Sequence, residues 1–141
     1  MKIHKIYTDI LREELKPAMG CTEPIAIAYA ASILRHALGT DPERIQLQLS
    51  GNIIKNVKSV IVPATGGMHG IPAAVAAGIV ANAPEKQLEV LTSLTSADIS
   101  EIEAFIGNCE MLVSELETDK PFEVKISGSC GEDTAAVHLA D

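Results

Sequence analysis

Cys21 has the setting a reactive sulfur needs. It stands in the run Lys16-Pro17-Ala18-Met19-Gly20-Cys21-Thr22-Glu23-Pro24, directly ahead of an apolar, alanine-rich stretch. Pro17 stops a preceding helix, Gly20 lets the chain turn, and Pro24 suits the first turn of a new helix, where a missing N–H costs nothing. A cysteine just before a helix N-terminus feels partial positive charge, which favours thiolate over thiol. Thiolate is the form that ligates metal or attacks an electrophile. The alternative is a small buried apolar residue, as free cysteines often are. Cys109 and Cys130, the other two cysteines, have no CxxC spacing and read as inert.

Two further runs could hold an anion. Ser50-Gly51-Asn52-Ile53-Ile54-Lys55-Asn56 follows an alternating segment, and its Ser50, Asn52, Lys55 and Asn56 supply donors suited to a carboxylate. Turn composition alone also accounts for such a run. Gly66-Gly67-Met68-His69-Gly70 precedes a second alanine-rich stretch. Glycines before a helix N-terminus leave unpaired N–H groups and a helix dipole pointing the same way. Neither GxxxxGK[ST] nor GxGxxG is present, so a small carboxylate fits better than a nucleotide. Lys55 and His69 are the candidates for a catalytic base, against the plainer reading of a solvated lysine and a loop histidine. His4, His36 and His138 are scattered without metal-ligand spacing.

The elements that must position these residues follow from hydrophobic period. Ile3, Ile6, Tyr7, Ile10, Leu11 and Leu15 recur at helical spacing and predict an amphipathic helix over 3–16. Residues 24–38 predict a mostly buried helix ending at Gly39. Ile45, Leu47 and Leu49 alternate with Arg44, Gln46 and Gln48 as a half-buried strand does. Residues 53–62 suit helix or strand, 71–81 a second alanine-rich helix, and 86–94 a short helix. Thr95 and Asp98 form a capping pair before a helix facing inward through Ile99, Ile102, Phe105 and Ile106. Alternation around Met111 and Val113, over Phe122, Val124 and Ile126, and over Ala135, Val137 and Leu139 predicts an antiparallel meander turning at 128–133. The expectation is one α+β unit over 1–141, with alanine-rich helices packed on a small antiparallel sheet.

Composition narrows the function classes. With 141 residues, 47% hydrophobic and 3% aromatic, the chain can build one core from Ile, Leu, Val and Ala. A net charge of −8 argues against nucleic acid or an anionic membrane as partner. No apolar stretch is long enough to span a bilayer, and no signal peptide opens the chain. An odd cysteine count without a framework points to a reducing cytoplasm.

In order, GCTEP before an alanine-rich helix, SGNIIKN after a strand, PATGGMHGI before a second such helix, and LEVLTSLTSADI resemble the L-cysteine desulfidase family, which is related to the alpha chain of iron–sulfur L-serine dehydratases. The resemblance runs over essentially the whole chain. It implies a lyase that eliminates sulfide from L-cysteine, or water from L-serine, to give pyruvate and ammonia. It implies a [4Fe–4S] cluster with Cys21 as one ligand, and Ser50, Asn52, Lys55, Asn56, Gly66 and Gly67 lining the substrate pocket. Members of that family are longer and carry further cluster cysteines downstream. By that likeness the chain corresponds to an N-terminal part that alone holds no stable cluster and turns over no substrate. His69 stands where relatives often have lysine. The rival expectation is a non-catalytic module binding small amino acids or carboxylates. The expected partners are an amino-acid substrate and, through exposed apolar surface, a second copy of the chain.

Overall fold

Alternation over Arg44–Ser50 becomes strand β2, the hub of a five-stranded mixed sheet. The computed structural model describes residues 7–10, 22–57, 61–62, 65–119 and 122–140. In chain order its elements are β1 (Tyr7–Ile10), α1 (Thr22–Leu38), β2, α2 (Gly51–Val57), α3 (Ile71–Ala81), α4 (Ile99–Asn108), β3 (Glu110–Leu116), β4 (Glu123–Cys130) and β5 (Asp133–Ala140). A 3₁₀ stretch at Pro84–Ser93 and a 3₁₀ turn at Ser96–Asp98 lie between α3 and α4. The strand order is β1-β5-β4-β2-β3. The fold is α+β, as expected.

The meander is not. β4 and β5 form the expected antiparallel hairpin, closed by Gly131 and Glu132 with Gly131 at φ 62°. β3, however, pairs in parallel with β2, and β2 pairs antiparallel with β4. α4 carries the chain back so that β3 starts at the same end as β2, and this crossover makes the pair parallel.

Nor is the expected helix over 3–16 formed as such. Tyr7–Ile10 is a strand, paired in parallel with Ala136–Leu139 of β5, while residues 1–6 and 11–21 lie outside the described residues. That flank of β5 would otherwise present unpaired backbone groups, and tertiary pairing outweighs a helical period. The ambiguous run resolves as helix over Gly51–Val57. The helix expected at 86–94 is instead a 3₁₀ stretch, interrupted where Gln87 takes φ 52°. The capping box at Thr95 and Asp98 is present, with the Thr95 N–H donating to the Asp98 carboxylate at 2.9 Å.

Helix α1 lies between two layers, which explains why it is apolar nearly all round. One side packs on β4 and β5, the other on α3. The α1–α3 contact depends on small residues. A Cβ on Gly78 would stand 2.0 Å from the Ala28 carbonyl oxygen, so only glycine admits the backbones this closely. The Ser32 hydroxyl donates to the Gly78 carbonyl and accepts the Ala83 N–H, so this buried polar group is satisfied. Ile45, Leu47, Leu49, Val124, Ile126, Val137 and Leu139 form the covered face of the sheet.

Candidate functional site

The chain leaves β2 at Ser50 and enters α2 at once. Ile53 and Val57 anchor this short helix by burial, whereas Asn52, Lys55 and Asn56 are exposed. Positions i, i+3 and i+4 share one helix face, so these three polar side chains stand together. α2 has seven residues, too few for a strong dipole, so side chains are the donors it offers. Among the described residues Lys55 forms no ion pair.

Ser50 behaves differently from its three neighbours. It is buried, and its hydroxyl accepts the Glu123 N–H at 3.2 Å, tying the end of β2 to the start of β4. Glu123 is itself only 7% exposed, and its Oε2 lies 2.6 Å from Nε2 of His138. With the carboxylate ionised and accepting, Nε2 carries the hydrogen. A buried carboxylate without such a partner would be costly. Sequence reasoning missed this pair. His138 read as scattered, and Glu123 was hidden beside the apolar alternation of Phe122, Val124 and Ile126. The available signal was an acidic residue flanked by Phe122 and Val124 at the start of a strand.

The Gly66–Gly67 loop is held by other partners. Thr65 Oγ1 donates to the Val62 carbonyl at 2.7 Å and accepts the Met68 N–H, and Ile61 bridges His69. A Cβ on Gly66 would meet the Ile99 side chain at 2.8 Å, and both glycines have positive φ. His69 is exposed on this loop. The two sequence-predicted anion segments are therefore anchored separately, one to β2 and the other to the chain around Ile61 and Ile99.

Cys21 lies outside the described residues, but α1 begins at Thr22, the residue bonded to it. Cys109 and Cys130 sit at the other end of this helix. Cys109 lines a cleft with Asp41, Pro42 and Glu43, just beyond the end of α1. Burial, together with Asp41 and Glu110, pushes its thiol up to about 11, which opposes thiolate formation. Cys130 follows Ser129, whose carbonyl accepts the Glu43 N–H. Thr22 and Leu38, at opposite ends of the 17-residue α1, are separated by about 24 Å at the usual helical rise. Cys109 and Cys130 are therefore too distant from the start of α1 to share a cluster there. The cysteines of this chain do not fit an open [4Fe–4S] site, which needs several thiolates at one place. Among the described residues no group of three or more metal-ligating side chains converges. No helix of the described residues is long and apolar enough to cross a membrane.

Comparison with known proteins places the chain beside UPF0597 proteins. That of Treponema denticola is 43% identical over 136 residues, covering 96% of this chain and 32% of the relative. That of Desulfitobacterium hafniense is 41% identical over 140 residues, covering 99% and 33%. That of Shewanella oneidensis is 40% identical over 133 residues, covering 94% and 31%. The chain spans about a third of the length of the curated relatives it matches. No family model matches, and no solved structure matches. The assignment to L-cysteine desulfidases is thereby corrected: these relatives carry the name UPF0597, which states no activity and names neither a desulfidase nor a serine dehydratase.

Proposed function

We propose that a protein of the relatives' length carrying this segment is a cytoplasmic lyase of small amino acids, eliminating sulfide from L-cysteine or water from L-serine to leave pyruvate and ammonia. This segment would supply part of the substrate site. The observation that supports the reading is the exposed trio Asn52, Lys55 and Asn56 on one face of α2, an arrangement suited to a substrate carboxylate. Cys21, one residue before α1, would be its reactive sulfur. A cluster at Cys21 would need its other thiolates from outside this chain, so no step is assigned to one. A second reading, binding of the same amino acids without turnover, is favoured by the separate anchoring of the α2 turn and the Gly66–Gly67 loop, which leaves Lys55 and His69 on different supports.

The test is pyruvate release from L-cysteine and L-serine by such a protein, prepared anaerobically with iron and sulfide. Turnover is expected with one of the two. Lys55→Met should raise KM about tenfold, the weight of one charge-assisted hydrogen bond. Pyruvate absent with both substrates would reject the lyase, and saturable binding in that case would establish the second reading.

A further inference from the structure

The uncovered face of the sheet carries a second polar constellation that no sequence motif marked. Gln46 and Gln48 of β2 project on the face opposite Ile45, Leu47 and Leu49, and both are exposed. Register places Ser127 across from Gln46 and Lys125 across from Gln48, with His138 beyond Lys125 on β5. A cleft of about 160 Å³ lies here, lined by Gln46, Gln48, Lys125, Ser127 and the strand segments at Ile126 and at Ala136 and Val137, with His138 outside its lining. That space holds a small metabolite, whereas drug-sized ligands occupy pockets of about 300 Å³ or more.

Charge separates this cleft from its two larger neighbours. The cleft beside Cys109 is lined by Asp41, Glu43 and Glu101 and repels anions. The cleft at Arg44 has a cation, but Glu110 holds it at 3.2 Å. Lys125 forms no ion pair among the described residues, and Glu123, the acid two positions away on its strand, lies 2.6 Å from His138. A lysine beside two amides and a hydroxyl, in no ion pair of its own among the described residues, is complementary to a single negative charge.

We infer that this cleft binds a small monocarboxylate, an amino acid among them, with Lys125 facing the carboxylate and Gln46, Gln48 and Ser127 hydrogen-bonding around it. The site is built from the open face of β2 and β4, uses none of the α2 side chains, and stands whether or not the larger protein is a lyase.

The experiment is amide chemical-shift titration of this chain with acetate, with L-serine and with L-serine methyl ester, which lacks the carboxylate charge. Saturable shifts at Gln46, Gln48, Lys125 and Ser127 are expected with acetate and L-serine and not with the ester. Lys125→Met should weaken binding about tenfold, and Lys125→Arg should retain it. The inference is overturned if neither acid gives saturable shifts, if the shifts map to other residues, if the ester produces the same shifts, or if a folded Lys125→Met binds unchanged. Should Lys125→Met fail to fold, the ester comparison on the unsubstituted chain decides.

Discussion

Leu47 and Gln46 are neighbours on β2, yet one is fully buried in the core and the other is exposed. The covered face of the sheet is aliphatic wherever β2, β4 and β5 meet the helix. The other face carries amides, hydroxyls and Lys125, with the Glu123–His138 pair largely buried beside them. Apolar burial is concentrated on the first face and polar side chains on the second, because burial rewards apolar area while polar groups keep their contact with water. Ser50 stands between the two regimes. It belongs to the open face by register, but its hydroxyl is committed to the Glu123 N–H.

Three substitutions sharpen the contrast. Leu47→Ala should cost about 2–5 kcal/mol, measured by urea unfolding, because it leaves a cavity in the core beneath β2. A loss below about 1 kcal/mol would mean that the covered face is not packed as described. Ser50→Ala should cost about 1–2 kcal/mol, since the Glu123 N–H loses a buried acceptor. Its amide exchange at Glu123 should quicken correspondingly, and unchanged protection would break the proposed tie between β2 and β4. Gln46→Ala should alter stability by less than about 0.5 kcal/mol, as exposed surface positions do. A large loss there would erase the distinction between the faces.

Edge strand β3 marks the limit of the comparison. Its Leu112 and Val113 are 57% and 40% exposed, on opposite faces of the strand, while Met111, on the face of Val113, still packs against the core. The sequence led to an antiparallel partner for this strand because Met111 and Val113 alternate, and alternation records period without saying which strand lies alongside.

Much of the local structure was legible. α3 spans the expected 71–81, punctuated by Gly70 and Pro72 at its start and Asn82 in the left-handed region at its end. β2 matches its alternation, and Thr95 and Asp98 cap as their spacing implies. The exposed trio on α2 was named from its residue types, although its helical setting was not. The Glu123–His138 pair was illegible because its members are 15 positions apart and meet only through the β4–β5 register.

By itself, the sequence determined α1, β2, α3, α4 and the β4–β5 hairpin, since period, caps and glycine positions act over a few residues of backbone. Tertiary structure decided that Tyr7–Ile10 is a strand and that β3 runs parallel to β2. It also set Cys109 and Cys130 at the far end of α1 from Thr22 and aligned Lys125 with Gln48. Those outcomes depend on which distant surfaces can satisfy each other's backbone hydrogen bonds and exclude water together, a balance that no short window of residues contains.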